Sequence, residues 1–473
     1  MKTGRLSWST KIGYGLCTCA EAIPYNLLTI YFVFFLTDIV GIRPFLAGIV
    51  LFVVIMWDAV IDPFIGGLSD EHVTEKGRRL PWMKASVLPL AVAIFLMFSP
   101  FSIENMIGQS IYYVAVAILV CTTYSTFVIP YFAMGGEITA DYGERNVLRF
   151  LSMLFYYPIF LLAASGPMLI WEWAESRGYS DRQAWGFTGV IFGVLLLVVS
   201  CIGLYMVRNS EKESIKTALE ARKEKIKQSY IKIWRDCIRI KSFRKIVIWI
   251  FIYMLSFSII NTVVVYFMTY NVGMSESQQA LFWVVYVAAT VIILPVVTKY
   301  CNKVGKKPVL LITMIPSVVM GIILFFTGIN SVAVMYVYAI LIVLSSSTFF
   351  TFYLACAYDC VEIDEFLSGQ RRDGSITSLA CFAQQVGAAL ALPFTGMFLE
   401  FTGYDGMAEV QTTSALQGIL TLATIFPAIL LIIAIFFLAA YPVTKKKYEL
   451  LCIALEKKKN NEEYYTKGFE NIL

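Results

Sequence analysis

Leu46-Ala47-Gly48-Ile49-Val50-Leu51-Phe52-Val53-Val54-Ile55-Met56-Trp57-Asp58-Ala59-Val60-Ile61-Asp62-Pro63-Phe64-Ile65-Gly66-Gly67-Leu68 is an apolar run long enough to cross a bilayer as a helix. Its only charges, Asp58 and Asp62, lie in its interior. A carboxylate at the bilayer centre costs about 3 kcal/mol on the most lenient scales, so such residues face the protein interior and serve a purpose. Spaced four apart, the two share one face of a helix. Two carboxylates on one buried face attract a small cation, or share a proton because like charges resist full ionisation. The alternative is an interior pair satisfied by neighbouring donors. The depth and the doubling favour a cation or proton site.

Outward from this run, the whole chain reads as membrane. Its 473 residues are 58% hydrophobic and 15% charged, with a mean hydropathy of +0.71. Soluble domains sit near half apolar and a quarter charged. Lys2, Arg5 and Lys11 precede the first apolar run. That run is too long for a signal-peptide core and lacks a cleavage site followed by a soluble domain. The ten cysteines are scattered, without metal-ligand spacing, and no disulfide framework is expected. The single histidine, His72, reads as a solvated loop residue. An enzyme would need clustered His, Cys or Ser, or a nucleotide-binding glycine loop, and neither pattern appears. A sensor would need a soluble output domain, and residues 442–473 are too few for one. The net charge of +5 is accounted for by basic loops, so nucleic-acid binding has no support.

Apolar runs separated by polar breaks give twelve candidate spans: 12–37, 45–68, 82–102, 108–132, 147–171, 184–207, 245–270, 277–298, 307–328, 331–358, 374–401 and 413–441. The expected class is an all-α polytopic membrane protein. It comprises a six-helix bundle over 1–207, a linker over 208–244, a second bundle over 245–441 and a tail over 442–473. With the N-terminus inside, only Arg43, Arg177 and Arg182 of the 38 Lys and Arg residues fall in outward loops. That bias places both termini in the cytoplasm of a cell whose plasma (inner) membrane the chain crosses many times. Residues 208–244 read as a linker between halves; the alternative is an amphipathic helix with Ile231, Ile233, Trp234 and Ile238 against lipid. Lys457-Lys458-Lys459 reads as part of a solvated tail in preference to an anionic-lipid contact. Six plus six spans with a long inner linker is the layout of the major facilitator fold, in which two bundles rock around a midplane site.

Motifs cluster at the turns. After the second span come Gly66-Gly67-Leu68-Ser69-Asp70 and Gly77-Arg78-Arg79-Leu80-Pro81-Trp82. Asp70, Arg78 and Arg79 at this turn can pair with one another and with helix dipoles, holding one state closed. Taken alone, they read as an ordinary basic loop. Further on stand Ile129-Pro130-Tyr131, then Glu137-Ile138-Thr139-Ala140-Asp141-Tyr142, then Glu144-Arg145. The second half carries Asp359, Glu362, Asp364 and Glu365, then Gly369, Arg371, Arg372 and Gly374. The reading is a gate at an inner mouth, with the acidic cluster pairing with Arg145 or Arg149, and with Asp141, Glu144 and Arg145 as its counterpart. The alternative is a solvated turn.

Together with Asp58-x-x-x-Asp62-Pro63, these motifs closely resemble the glycoside-pentoside-hexuronide:cation symporter family, to which the melibiose permease belongs. The resemblance covers nearly the whole chain except the linker and tail. It implies a secondary active transporter of the major facilitator superfamily, working as a monomer. Such a carrier takes up a glycoside, oligosaccharide or hexuronide with Na⁺ or H⁺ and needs no cofactor beyond the coupling cation. The family's cation site falls on Asp58 and Asp62. A fourth-helix hydroxyl commonly joins it, here Ser125 or Thr126, in keeping with the oxygen-rich shells that hard cations require.

At the sugar site the resemblance implies a changed chemistry. The family's fourth-helix tyrosine is kept as Tyr124, but the carboxylate four residues on is Val128. The first-helix carboxylate position is Ala22, with Glu21 one residue before it, an offset of about 100° around a helix. The eleventh-helix lysine is replaced by Gln385. The remaining substrate-binding candidates are Glu21, Tyr25, Tyr124, Asn261, Gln384 and Gln385, with Glu21, Tyr124 and Gln385 foremost. Each also reads as a helix–helix hydrogen bond. Galactosides of the melibiose type are disfavoured. The alternatives are a carrier of a non-sugar amphipathic solute such as a lysolipid, and a gradient-independent exchanger.

Overall fold

The computed structural model describes residues 6–71, 74, 77–99, 105–138, 142–210, 235, 238–329, 331–369, 373–408, 410–460, 462–466 and 468–472. Among the described residues, twelve helices are long and apolar enough to cross a membrane. In chain order they are α1 (Trp8–Ile39), α2 (Pro44–Glu71), α3 (Leu80–Met97), α4 (Met106–Glu137), α5 (Tyr142–Glu175) and α6 (Asp181–Val207), then α7 (Lys241–Val272), α8 (Glu276–Val304), α9 (Lys306–Thr327), α10 (Val332–Ser368), α11 (Asp373–Phe401) and α12 (Thr413–Ala439). A further helix, α13 (Lys445–Lys459), follows. No strand is present among the described residues.

The helices group into two compact units. Unit 1 comprises Met1–Lys225 with Met274–Val284 and Gly396–Thr412; unit 2 comprises Ile226–Gly273, Val285–Thr395 and Thr413–Leu473. In unit 1, α3 packs on α4 and α6, α2 packs on α4, and α1 packs on α5 and α6. Its centre is aromatic: Trp185 of α6 touches Tyr31, Phe34 and Phe35 of α1, Phe98 after α3 and Trp171 of α5. In unit 2, α7 and α9 pack on α12, and α9 packs on α10. Its core stacks Tyr253 on Phe349 at 3.9 Å, with Trp249 edge-on at 5.2 Å from Phe349. Aromatic pairs of this kind add to the packing of apolar area.

Helices α1 and α7 hold corresponding positions in the two halves and share an irregularity. Both wind into π turns, at Leu27–Tyr31 and Phe35–Ile39 in α1 and at Phe267–Val272 in α7. Such turns rotate the face that a helix presents and recur at functional sites.

Two regions depart from the sequence reading. The tenth helix does not stop near residue 358 but runs to Ser368, so Asp359, Glu362, Asp364 and Glu365 lie on the helix and not on a solvated turn. Val361, Ile363 and Phe366 continue its apolar face, and all three are buried. The tail, read as solvated, is docked on unit 2. Leu451, Ala454, Leu455, Phe469 and Ile472 are buried there, and Phe366 meets the rings of Tyr464 and Phe469. Lys458 Nζ donates to the Phe366 carbonyl at 2.6 Å, and Ser242 Oγ donates to the Ile472 carbonyl at 2.7 Å. Apolar residues placed between the lysines supply the surface that makes docking favourable. Most of the linker, including Ile231, Ile233 and Trp234, lies outside the described residues.

Candidate cation and substrate site

The α2 carboxylates face α4. Ser125 is fully buried, and its Oγ donates to Asp58 Oδ1 at 3.0 Å. The same hydroxyl interacts with the Asp62 carboxylate. Asp62 Oδ1 is itself buried and accepts no hydrogen bond from the described residues. Thr126, the other hydroxyl candidate, is turned to its own helix, donating to the Thr122 carbonyl at 2.6 Å. Trp57 Nε1 donates to Thr122 Oγ1 at 2.9 Å and so holds α2 in register against α4. The result is two carboxylates and a hydroxyl within one small volume. Removing a carboxylate from water without a partner is costly, so the cluster is chemically suited to a small cation or a shared proton.

The same part of unit 1 holds the first-half substrate candidates. Glu21 and Asp58 both lie close enough to Tyr25 and Tyr124 to act on them electrostatically. Ala22 and Val128, read from the sequence as standing at the family's carboxylate positions, are buried. Glu21 is only half-buried, and Tyr25 is 47% exposed. Two residues that sequence reasoning missed join this group: Tyr156 of α5, near Glu21 and Tyr25, and Asn26, whose side chain interacts with the Tyr156 hydroxyl. Asn26 Nδ2 is held by the Ala22 carbonyl at 2.7 Å. The available signal was a tyrosine pair, Tyr156-Tyr157, inside an apolar span.

Unit 2 carries the other three candidates. Asn261 Nδ2 donates to the Phe257 carbonyl at 3.2 Å. Gln384 and Gln385 are half-buried on α11.

Three of the gating candidates, Arg79, Glu144 and Asp359, form local pairs. Arg79 is buried, and its guanidinium donates to Ser69 Oγ at 2.6 Å across the α2–α3 turn. Arg78, beside it, is half-buried. That turn is closed by the Thr74 hydroxyl, which donates to the Gly77 carbonyl at 2.6 Å. Glu144 pairs with Lys11 of α1 at 2.8 Å, both side chains largely buried, and accepts from the Leu6 amide at 3.1 Å. Asp359 pairs with Lys306 of its own unit at 2.6 Å; Lys306 also donates to the Ala355 carbonyl at 2.8 Å. Glu362, Asp364 and Glu365 lie on the same stretch of α10, the last two buried. Asp141, Arg371 and Arg372 lie outside the described residues, as do the side chains of Asp70, Arg145 and Arg149. The sequence reading gave neither Lys11 nor Lys306 a pairing role. For Lys306 a signal existed: Gly305-Lys306-Lys307-Pro308 at the α8–α9 turn echoes Gly77-Arg78-Arg79-Leu80-Pro81 at the α2–α3 turn.

Comparison with known proteins places this arrangement among carriers. Residues 13–445 match the family model described as MFS/sugar transport protein. The chain is similar to an uncharacterized symporter, YnaJ, of Bacillus subtilis, with 26% identity over 98% of this chain and 96% of that one. It is also similar to the isoprimeverose transporter of Lactiplantibacillus pentosus, with 27% identity over 87% of this chain and 84% of the relative. Among solved structures, a bacterial homologue of the human drug peptide transporters PepT1 and PepT2 superposes with a TM-score of 0.66. It covers 94% of this chain and 99% of that one at 14% identity, a likeness of fold.

Proposed function

Because the chain belongs to the MFS/sugar transport protein family, a family of transporters and not of enzymes, we propose that it imports a glycoside, oligosaccharide or hexuronide by symport with Na⁺ or H⁺. Asp58 and Asp62 bind the coupling cation, with Ser125 as a third oxygen ligand. The observation that carries this reading is the buried carboxylate pair on α2 with the Ser125 hydroxyl 3.0 Å from Asp58. Asn261, Gln384 and Gln385 are the substrate candidates of unit 2, and Glu21, Tyr25, Tyr124 and Tyr156 are those of unit 1. A sugar is held there by a carboxylate accepting hydroxyl donors and by tyrosine rings against the pyranose face. The carrier works as a monomer in the plasma membrane, with both termini in the cytoplasm as the distribution of basic residues favours. The Lys11–Glu144, Arg79–Ser69 and Lys306–Asp359 pairs brace the helix ends as the carrier alternates between states.

A second reading is a carrier of an amphipathic non-sugar solute such as a lysolipid. Val128, buried where the family has a sugar-binding carboxylate, favours it.

The test is uptake into liposomes holding the purified protein, with an inward Na⁺ gradient, a pH gradient or neither. The panel is labelled glycosides, hexuronides and lysolipids. Gradient-driven uptake of a glycoside or hexuronide is expected, and Asp58→Cys and Asp62→Cys each lower it at least about tenfold, the scale of losing a charged ligand. Uptake indifferent to both gradients and both substitutions sinks the symport reading; uptake of lysolipid alone selects the second one.

A further inference from the structure

Within unit 1, two segments of the second half are fastened to the ends of first-half helices. The first is Gly396–Thr412, the end of α11 and the loop after it. Tyr404 Oη donates to Asp38 Oδ1 at 2.6 Å, and the Thr37 hydroxyl donates to the same carboxylate. The backbone approaches closely at two glycines. A Cβ on Gly406 would sit 2.5 Å from the Thr37 carbonyl oxygen and 3.1 Å from Asp38 Cα. A Cβ on Gly396 would collide with the Pro44 carbonyl oxygen. The loop is held in shape by its own bonds: Met407 N donates to Asp405 Oδ1 at 3.0 Å, and Asp405 N donates to Gln411 Oε1 at 3.3 Å. The second segment is Met274–Val284, at the start of α8. Ser277 donates to the Glu172 carboxylate, and the Trp283 ring stands edge-on to Phe160 at 6.3 Å.

We propose that this seam is the outer gate of the carrier, with Tyr404–Asp38 as its latch and Gly406 as the position that lets it shut. The proposal rests on the transporter reading and on the orientation given above, which puts these helix ends outside. Helices α8 and α11 have most of their length in unit 2. An outward opening that swings them away must therefore break these contacts. The chemistry suits a reversible latch. A hydroxyl–carboxylate bond is charge-assisted and short, so it holds firmly when water is excluded. When it opens, the released Tyr404 hydroxyl carries no charge, so only a neutral group must be hydrated on that side of the bond. A lysine or arginine in place of Tyr404 would leave a cation to hydrate there.

The test needs neither substrate nor gradient, so it stands or falls apart from the symport reading. Thr29, half-buried and one turn from Tyr25 on α1, is replaced by cysteine as a reporter. Cells carrying the full chain are treated with a membrane-impermeant sulfonated maleimide, and labelling above that of the chain without the reporter is read. Tyr404→Phe is expected to raise labelling from outside roughly tenfold, the weight of one charge-assisted bond. Gly406→Val, a wedge, is expected to raise it at least as much, and both lower labelling in inside-out vesicles. Outside labelling unchanged by both substitutions, in protein of wild-type yield and melting temperature, overturns the gate. So does a rise confined to inside-out vesicles. If Gly406→Val fails to fold, Tyr404→Phe decides alone, because it removes one oxygen and leaves the packing intact.

Discussion

The Ser125 hydroxyl donates to the Asp58 carboxylate, whereas those of Thr122, Thr123 and Thr126 on the same helix donate to backbone carbonyls of the preceding turn. A serine inside a helix ordinarily bonds back to the preceding turn. Here the bond runs to Asp58 instead, which suits the oxygen-ligand role proposed for the hydroxyl. Ser125→Ala should therefore raise the cation concentration for half-maximal uptake about tenfold, with a smaller change in maximal rate, since it removes a ligand and not the carboxylates. Thr126→Val should shift that concentration less than about twofold, because its hydroxyl is spent on the Thr122 carbonyl. Cation titration of uptake in liposomes checks both, and a larger effect from Thr126→Val would overturn the assignment. The carboxylate pair itself was legible in the sequence, because an ionisable residue inside an apolar run has a cost that needs a reason. Tyr156 and Asn26 were not, because their relation spans two helices and nothing local to either marks it. Lys11 was hidden for another reason: a lysine near a helix end satisfies the positive-inside pattern whether or not it is buried against a glutamate.

At the scale of elements, the twelve helices follow from hydropathy alone, and their ends do not. The apolar signal in α10 fades at the first carboxylate, yet the helix continues for nearly three turns more. Asp359 is tolerated there because Lys306 at the start of α9 neutralises it, and that pairing is invisible to a window moved along the chain. The tail shows the same limit. Its lysines dominate the composition, while the few apolar residues that dock it are spaced over more than twenty positions. Docking makes a direct prediction. Phe469→Ala empties a buried site against Phe366 and should destabilise unit 2 by about 3 kcal/mol, seen as a lower melting temperature of the purified protein. Tyr465→Ala, at a side chain 76% exposed, should stay within about 0.5 kcal/mol. Equal, negligible effects would mean that the tail does not rest on unit 2 in the membrane. The Lys306–Asp359 pair belongs to this scale too, since removing Lys306 leaves the buried Asp359 carboxylate uncompensated. Lys306→Met should therefore be more damaging than Lys306→Met combined with Asp359→Asn, measured by yield of folded protein and by melting temperature.

At the scale of the whole molecule, symport requires that the cation and the organic substrate each stabilise the same state. The carboxylates of α2 and the candidates Glu21, Tyr25 and Tyr124 occupy one neighbourhood, with Asp58 close to both tyrosines. A cation at Asp58 and Asp62 removes negative charge from beside the substrate candidates and fixes α2 against α4 through Ser125. Binding energies linked in this way are reciprocal: the factor by which the cation tightens substrate binding equals the factor by which substrate tightens cation binding. Coupling of about 1–3 kcal/mol, or about 5–150-fold, is the usual range. The expected result is thus a pair of equal factors in that range, obtained by titrating substrate at zero and saturating Na⁺ and then Na⁺ at zero and saturating substrate, in detergent and without a membrane gradient. If H⁺ is the coupling ion, the same equality should hold with pH in place of Na⁺. Asp62→Asn should bring both factors close to one while leaving some substrate affinity, because Glu21 and the tyrosines remain. Unequal factors would show that one titration reports something other than equilibrium binding. Equal factors that survive Asp62→Asn would move the coupling site away from α2, and with it the purpose assigned to the two most costly residues in the chain.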